Sequence, residues 1–304
     1  MRKLFKSEAS QFALFTGLKV SGIFILVYMV TSYIVWLLIS VNKLFFEAHG
    51  YLNERALSDA YFDLVLKSAE YWLPYLFVFT IALFFGGVLL AKMLMRPFKL
   101  LAEYCEDKMN GESVVYNPDI FSDYRLLTRF SDFFFSYIDN CFEKGELTDN
   151  AIPSNFQGVR RPVFEQVFFF HFFLVTLIIA LVAVLILYLA LSEIREDIID
   201  LAVSLLQAHG AGTGYFLQEQ GYLFETISLF STGILFVCYM FLSTHLYGKV
   251  SGAVFGFFST MRAFMKGDHQ ARVHLLGYNH IRPFGRTFNQ YLKWVERSLK
   301  EKNK

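Results

Sequence analysis

"FMKGDHQARVHLLGYNHIRPFGRTFNQYL", residues 264–292, follows directly on the last long apolar run of the chain. An apolar-periodic run ends at Gly267, a polar stretch carries Val273 and Leu275, and a second run places Ile281, Phe284, Phe288 and Leu292 three or four residues apart. That spacing puts the second run on one face of an amphipathic helix. Glycine just past the last apolar position suits a left-handed helix C-cap. The stretch reads as helix, connector, helix, and its narrow apolar stripes require partner helices to cover them.

Outward from this stretch the chain is strongly apolar: of 304 residues, 55% are hydrophobic and 18% aromatic, which places it in the membrane class. Four runs, Val20 to Val41, Trp72 to Met95, Val167 to Leu191 and Thr226 to Leu246, are nearly free of charge. Each reaches the ~20 residues a helix needs to cross ~30 Å of hydrocarbon. The first is read as an anchor, because its core is too long for a signal peptide and no small-residue cleavage pattern follows before Asn42. The third continues outward through Glu193, Glu196, Asp197 and Asp200 as a helix.

Basic residues set the orientation. Arg2, Lys3 and Lys6 precede the first span, eight Lys and Arg lie between spans two and three, and the tail is basic from Lys249 to Lys304. The 42–71 loop holds three basic residues against five acids, and the 192–225 loop only Arg195. Basic loops resist translocation, so both termini are expected in the cytoplasm and both short loops outside. The net charge of +1 points to no nucleic acid partner; the basic tail suits topology and anionic lipid. Cys105, Cys141 and Cys238 are odd in number and absent from the outer loops, which argues against a structural disulfide.

Landmarks recur in order. "FFEAHG" at 45–50 returns as "LLQAHG" at 205–210, "YCEDKMNGE" at 104–112 as "TMRAFMKGD" at 260–268, and "FSDFFFSYI" at 130–138 pairs with "FGRTFNQYL" at 284–292. The expected organisation is an all-α membrane protein of two tandem repeats. Its parts are a transmembrane hairpin over 1–95, a helix-connector-helix module over 96–139, a linker over 140–166, a second hairpin over 167–247, and a second module with the basic tail over 248–304.

Both modules resemble the HAMP domain, the juxtamembrane relay of bacterial chemoreceptors and sensor histidine kinases. In the second, Gly267-Asp268 ends the first helix, and "NHIRPFGRTFN" at 279–289 matches the opening of the other at Asn279, Ile281, Phe284, Phe288 and Asn289. In the first, Arg96-Pro97 opens the module and Gly111-Glu112 follows fourteen residues beyond the proline. Pro97 suits a first helical turn, where its missing N–H is not needed. The resemblance implies relay positions at Pro97, Leu101, Cys105, Met109, Gly111, Glu112, Met261, Gly267, Asp268, Ile281, Phe284, Phe288 and Asn289. It also implies a bacterial inner membrane, a partner protein, and a parallel four-helix bundle made by a homodimer or within a membrane complex.

Both copies depart from the pattern. The second has Ala253 in place of the proline and His280 in place of an acid; the first lacks the Asp-Glu-Ile-Gly opening and the Phe-Asn end and has a connector about two residues longer. With two copies in one polypeptide, a bundle closed between the repeats is an alternative to the homodimer.

No Gly-rich phosphate loop, Gly-x-Ser-x-Gly, His-Glu-x-x-His or paired-cysteine zinc pattern occurs, so neither an enzyme nor a cofactor is expected. His49 and His209 share the "AHG" position on the outer side and form a candidate pH or metal sensor pair, against the plainer reading of histidines before a glycine cap. His269, His274 and His280 read as a solvated connector. The expected function is a non-enzymatic relay or regulatory subunit; the alternatives are a scaffold subunit of a membrane complex and, more weakly, a small transporter.

Overall fold

The computed structural model describes the backbone of residues 8–48, 55–117, 125–148, 151–161, 165–206 and 212–302. Helix α1 spans Glu8–Ala48 and α2 Arg55–Met109; a π-helical turn, Arg125–Arg129, leads into α3, Phe130–Lys144. A short α4, Ser154–Gln157, precedes α5, Gln166–Leu206, α6, Gly212–Met265, and α7, Arg282–Lys302. No strand occurs among the described residues. Helices α1, α2, α5 and α6 are each long and apolar enough to cross a bilayer, and the chain is an all-α, multi-pass membrane protein.

The four helices outrun the apolar runs that announce them. Helix α1 continues to Ala48 and α2 begins at Arg55, so most of the expected 42–71 loop is helical; α5 and α6 likewise take up most of 192–225. Hydropathy reports where lipid ends, and neither 51–71 nor 192–206 contains a glycine or proline to stop the backbone there. Exposed large apolar side chains, among them Leu26, Phe77, Leu185 and Phe230, lie on these helices; Val115 and Leu276 are the exceptions among the described residues. A belt of this kind faces lipid in place of water.

Two compact units divide the chain. One comprises residues 17–87 and 176–241, the other 1–16, 88–175 and 242–304. In the first, a Cβ added to Gly17 would meet the Phe84 carbonyl oxygen at 2.8 Å, so the close approach of α1 and α2 there requires glycine. At Gly86 an added Cβ would meet the Ile179 side chain at an ordinary 3.5 Å. Two hydrogen bonds join helices in this unit: the Tyr239 hydroxyl donates to the Val20 carbonyl at 2.9 Å, and the Thr31 and Ser231 hydroxyls bond at 2.8 Å.

Candidate functional site

Besides the π-helical turn, α4 and the first turns of α1 and α5, the second unit holds four helical segments: the closing stretches of α2 and α6, and all of α3 and α7. Their contacts define direction. Tyr104 packs on Phe135 at 4.2 Å and Lys108 pairs with Asp139 at 3.2 Å, both 31 residues apart. His280 Nε2 donates to the Lys249 carbonyl at 3.2 Å and Phe257 meets Phe288 at 5.5 Å, again 31 apart. Partners that advance together mean parallel helices, so α2 runs with α3 and α6 with α7. Contacts of Phe130 with Phe258 and Phe134 with Phe264 align α3 with α6; those of Phe135 with Tyr291 and Phe142 with Trp294 align α3 with α7. All four are parallel, and Phe98 closes the core against Phe257 at 5.5 Å.

The buried stripes of the two halves coincide. Leu90, Leu94, Phe98, Leu101, Ala102 and Cys105 are buried on α2, and so, 156 residues later, are Leu246, Val250, Val254, Phe257, Phe258 and Met261 on α6. On α3, Ser131, Phe134, Tyr137, Ile138 and Cys141 are buried, as are Gly285, Phe288, Tyr291, Leu292 and Val295, 154 residues on. Most of these side chains are apolar and interlock across four helices as in other parallel bundles. The stripes are thus covered by the chain's own two halves. Burial also pushes the Tyr291 phenol well above its usual range.

Both first helices end on glycine at positive φ, Gly111 at 83° and Gly267 at 94°. After each, the chain folds back in a Schellman cap. Glu112 N–H donates to Asp107 at 3.0 Å and Gly111 N–H to Lys108 at 3.1 Å; Asp268 N–H donates to Ala263 at 3.1 Å and Gly267 N–H to Phe264 at 3.2 Å.

The connectors are fastened differently. In the second, Val273 is buried, its N–H donating to Asn289 Oδ1 at 2.8 Å, while Asn289 Nδ2 donates to the Val273 carbonyl at 3.0 Å. Arg272 pairs with Glu296 at 2.7 Å and donates to the His269 carbonyl at 2.8 Å. In the first, Phe135 stands 154 residues before Asn289 and makes no such clamp; the buried Tyr116 ring packs on it at 5.0 Å and on Tyr104 at 5.4 Å.

Of the residues singled out in sequence, Leu101, Cys105, Met261, Ile281 and Phe288 converge on this core. Met109 and Phe284 are half-buried at its rim, and Gly111, Glu112, Gly267 and Asp268 are exposed at the caps. Pro97 is buried, but it does not open a helix: α2 passes through it from Arg55 to Met109. The preceding apolar residues carry the helix into the bundle without a break, so the proline removes one bond from a continuous ladder. His49 and His209 lie outside the described residues. His274 is exposed, and no three metal-binding side chains converge among the described residues.

Several contacts carry no sequence signal of their own. His280 stacks on Phe12 of α1 at 4.2 Å, and burial lowers its pKa. Glu165, deep in the linker, accepts from Leu126 N–H at 2.9 Å, and its own N–H donates to the Tyr247 hydroxyl at 2.8 Å. Arg262 donates to the Val159 carbonyl at 2.5 Å, and Phe156 packs on Phe130 at 5.1 Å. The expected linker is therefore pinned to the bundle. Comparison with known proteins finds no matching family model, and no curated protein or solved structure similar to the chain.

Proposed function

We propose that this chain is a non-enzymatic relay subunit of a bacterial inner membrane, in which a HAMP-like bundle made from two repeats of one polypeptide passes a displacement of the membrane helices to a partner protein. One observation carries the reading. Helices α2 and α6 each continue without interruption from a membrane-spanning run to the bundle core. A rotation or shift of either span is delivered to Phe98 and Phe257, and the core rearranges between two packings, as a relay requires.

The coincident buried stripes support the duplication; the parallel order, the capped glycines and the Asn289 clamp support the HAMP-like reading. The Lys and Arg distribution supports both termini lying in the cytoplasm with the bundle. The output surface is α7 with the tail beyond it. Closure within one chain removes the need for a homodimer to cover the core.

A scaffold is the second reading. It is favoured by the connector, which the Asn289 clamp and the Arg272–Glu296 pair hold in one arrangement. Spin labels at exposed Lys99 on α2 and exposed Gln290 on α7 separate the two, with the protein in nanodiscs of different lipid thickness, which load the spans differently. A relay gives two distance populations whose weights move with thickness. A single distance that stays constant overturns the relay and leaves the scaffold.

A further inference from the structure

We infer that copies of this chain associate side by side, the acidic outer face of α3 in one copy meeting the basic outer face of α7 in the next. The inference rests on the bundle's surface and not on the relay reading. On α3, Asp132, Ser136, Asp139 and Glu143 are exposed on the side away from the buried stripe. On α7, Arg286, Gln290, Lys293 and Arg297 are exposed at positions 154 residues later. Every acid on the first face thus has a base at the corresponding place on the second. The surrounding modules share the asymmetry: residues 96–139 hold five basic against eight acidic residues, residues 248–304 eleven against three.

Geometry makes the faces complementary between molecules. The Phe134–Phe288 contact at 5.9 Å and the Phe135–Tyr291 contact at 5.8 Å hold α3 and α7 parallel and level, with their outer faces turned away from each other. They do not meet within one chain. Asp139 has an internal partner in Lys108, whereas Asp132, Glu143, Arg286, Lys293 and Arg297 form no ion pair among the described residues. Membrane insertion gives neighbouring copies one direction and one depth, so a lateral neighbour presents its basic stripe to the acidic stripe in register. The contact is heterologous, leaving one face of each kind free for the next copy, and so builds rings or rows. Anionic lipid would satisfy the basic face alone; a second copy satisfies both.

The test uses the full-length chain in membranes, with two tagged populations co-expressed, one carrying Ser136→Cys and the other Gln290→Cys. The native Cys105 and Cys141 are buried and Cys238 lies in a span, and a control without added cysteine sets the background. Oxidation is expected to link Ser136→Cys chains to Gln290→Cys chains, with neither variant linking to itself. Arg286→Glu with Arg297→Glu is expected to lower the yield roughly tenfold, from two lost exposed pairs and the repulsion that replaces them. Adding Asp132→Arg and Glu143→Arg to the same chain exchanges the faces and restores it. All four sites are exposed, so the bundle core is untouched, and Asp139 is left to hold Lys108. Self-links as strong as mixed ones overturn the inference, as does absence of any link in inserted, helical protein. A loss that the exchanged faces fail to restore also overturns it, and assigns the basic face to lipid or to another protein.

Discussion

Replacing Asn289 by alanine removes both hydrogen bonds that hold Val273, the 2.8 Å bond from its N–H and the 3.0 Å bond to its carbonyl. Each such bond has a net worth of about 1 kcal/mol, so the connector loses about 2 kcal/mol against its locally opened state. That is roughly a 30-fold rise in the opening equilibrium. Amide hydrogen exchange reads it directly, because local opening governs exchange in native protein. Peptides covering Val273 and Leu275 are expected to exchange roughly 30-fold faster. Peptides from α3 and the first connector keep their rates, since Phe135 holds Tyr116 there by ring packing. Unchanged exchange at Val273 would show that the Arg272–Glu296 pair and burial suffice without Asn289. Equal acceleration in α3 would show that the two connectors open as one body, and the reasoning from separate fastenings would fail.

Phe134, fully buried and in ring contact with both Phe264 and Phe288, is the central wedge of the bundle. Its change to alanine is expected to cost about 3–5 kcal/mol, read as a fall in the thermal midpoint in detergent, with leucine costing less. At Gly111 an added Cβ meets nothing within 4 Å, but φ is 83°, so Gly111→Ala costs only the left-handed backbone penalty of about 1–2 kcal/mol; a neutral result would mean that the cap relaxes. Burial between Phe12 and the Lys249 carbonyl, with Glu8 and the Lys249 side chain as the charged groups that act on it, holds the His280 pKa below the usual value of about 6.5. The folded chain therefore favours the neutral ring: its stabilisation is complete above that value and is lost as pH falls through the lower folded one. The thermal midpoint is expected to fall on acidification below about pH 6.5, and His280→Phe to remove part of that fall; an identical profile in the variant would exclude His280 as its source.

What could be read in advance, and what could not, follows from which forces leave a local mark. Bilayer thickness demands a run of apolar residues, so the four spans stood out in sequence. Helix length beyond lipid leaves no hydropathic mark, so α1, α2 and α6 outran the expected loops, whereas α5 continues as a helix through Asp200 as expected from its sequence. Gly111 and Gly267 were legible because positive φ admits few other residues, and Leu101, Cys105, Met261 and Phe288 because burial on a helix repeats every three or four positions. The same argument misplaced Pro97: a proline at a module boundary resembles a helix start until the preceding turns are seen to remain helical. Periodicity also says that a stripe is covered without saying by what, which left the closure of the bundle within one chain as an alternative. Glu165 and Phe12 act through residues tens to hundreds of positions distant and had no pattern to betray them.

The two halves differ most where packing constrains them least. Core positions keep their character across the 154- and 156-residue spacings, as Phe134 and Phe288 or Tyr137 and Tyr291 do, because a dense interior tolerates little change in volume. Outward positions are free of that constraint, and a solvated surface would let their charges vary independently. Instead Asp132, Asp139 and Glu143 correspond in position to Arg286, Lys293 and Arg297 with every sign reversed. A surface constrained only by solubility has no reason to invert at each site, whereas one that meets its own counterpart does.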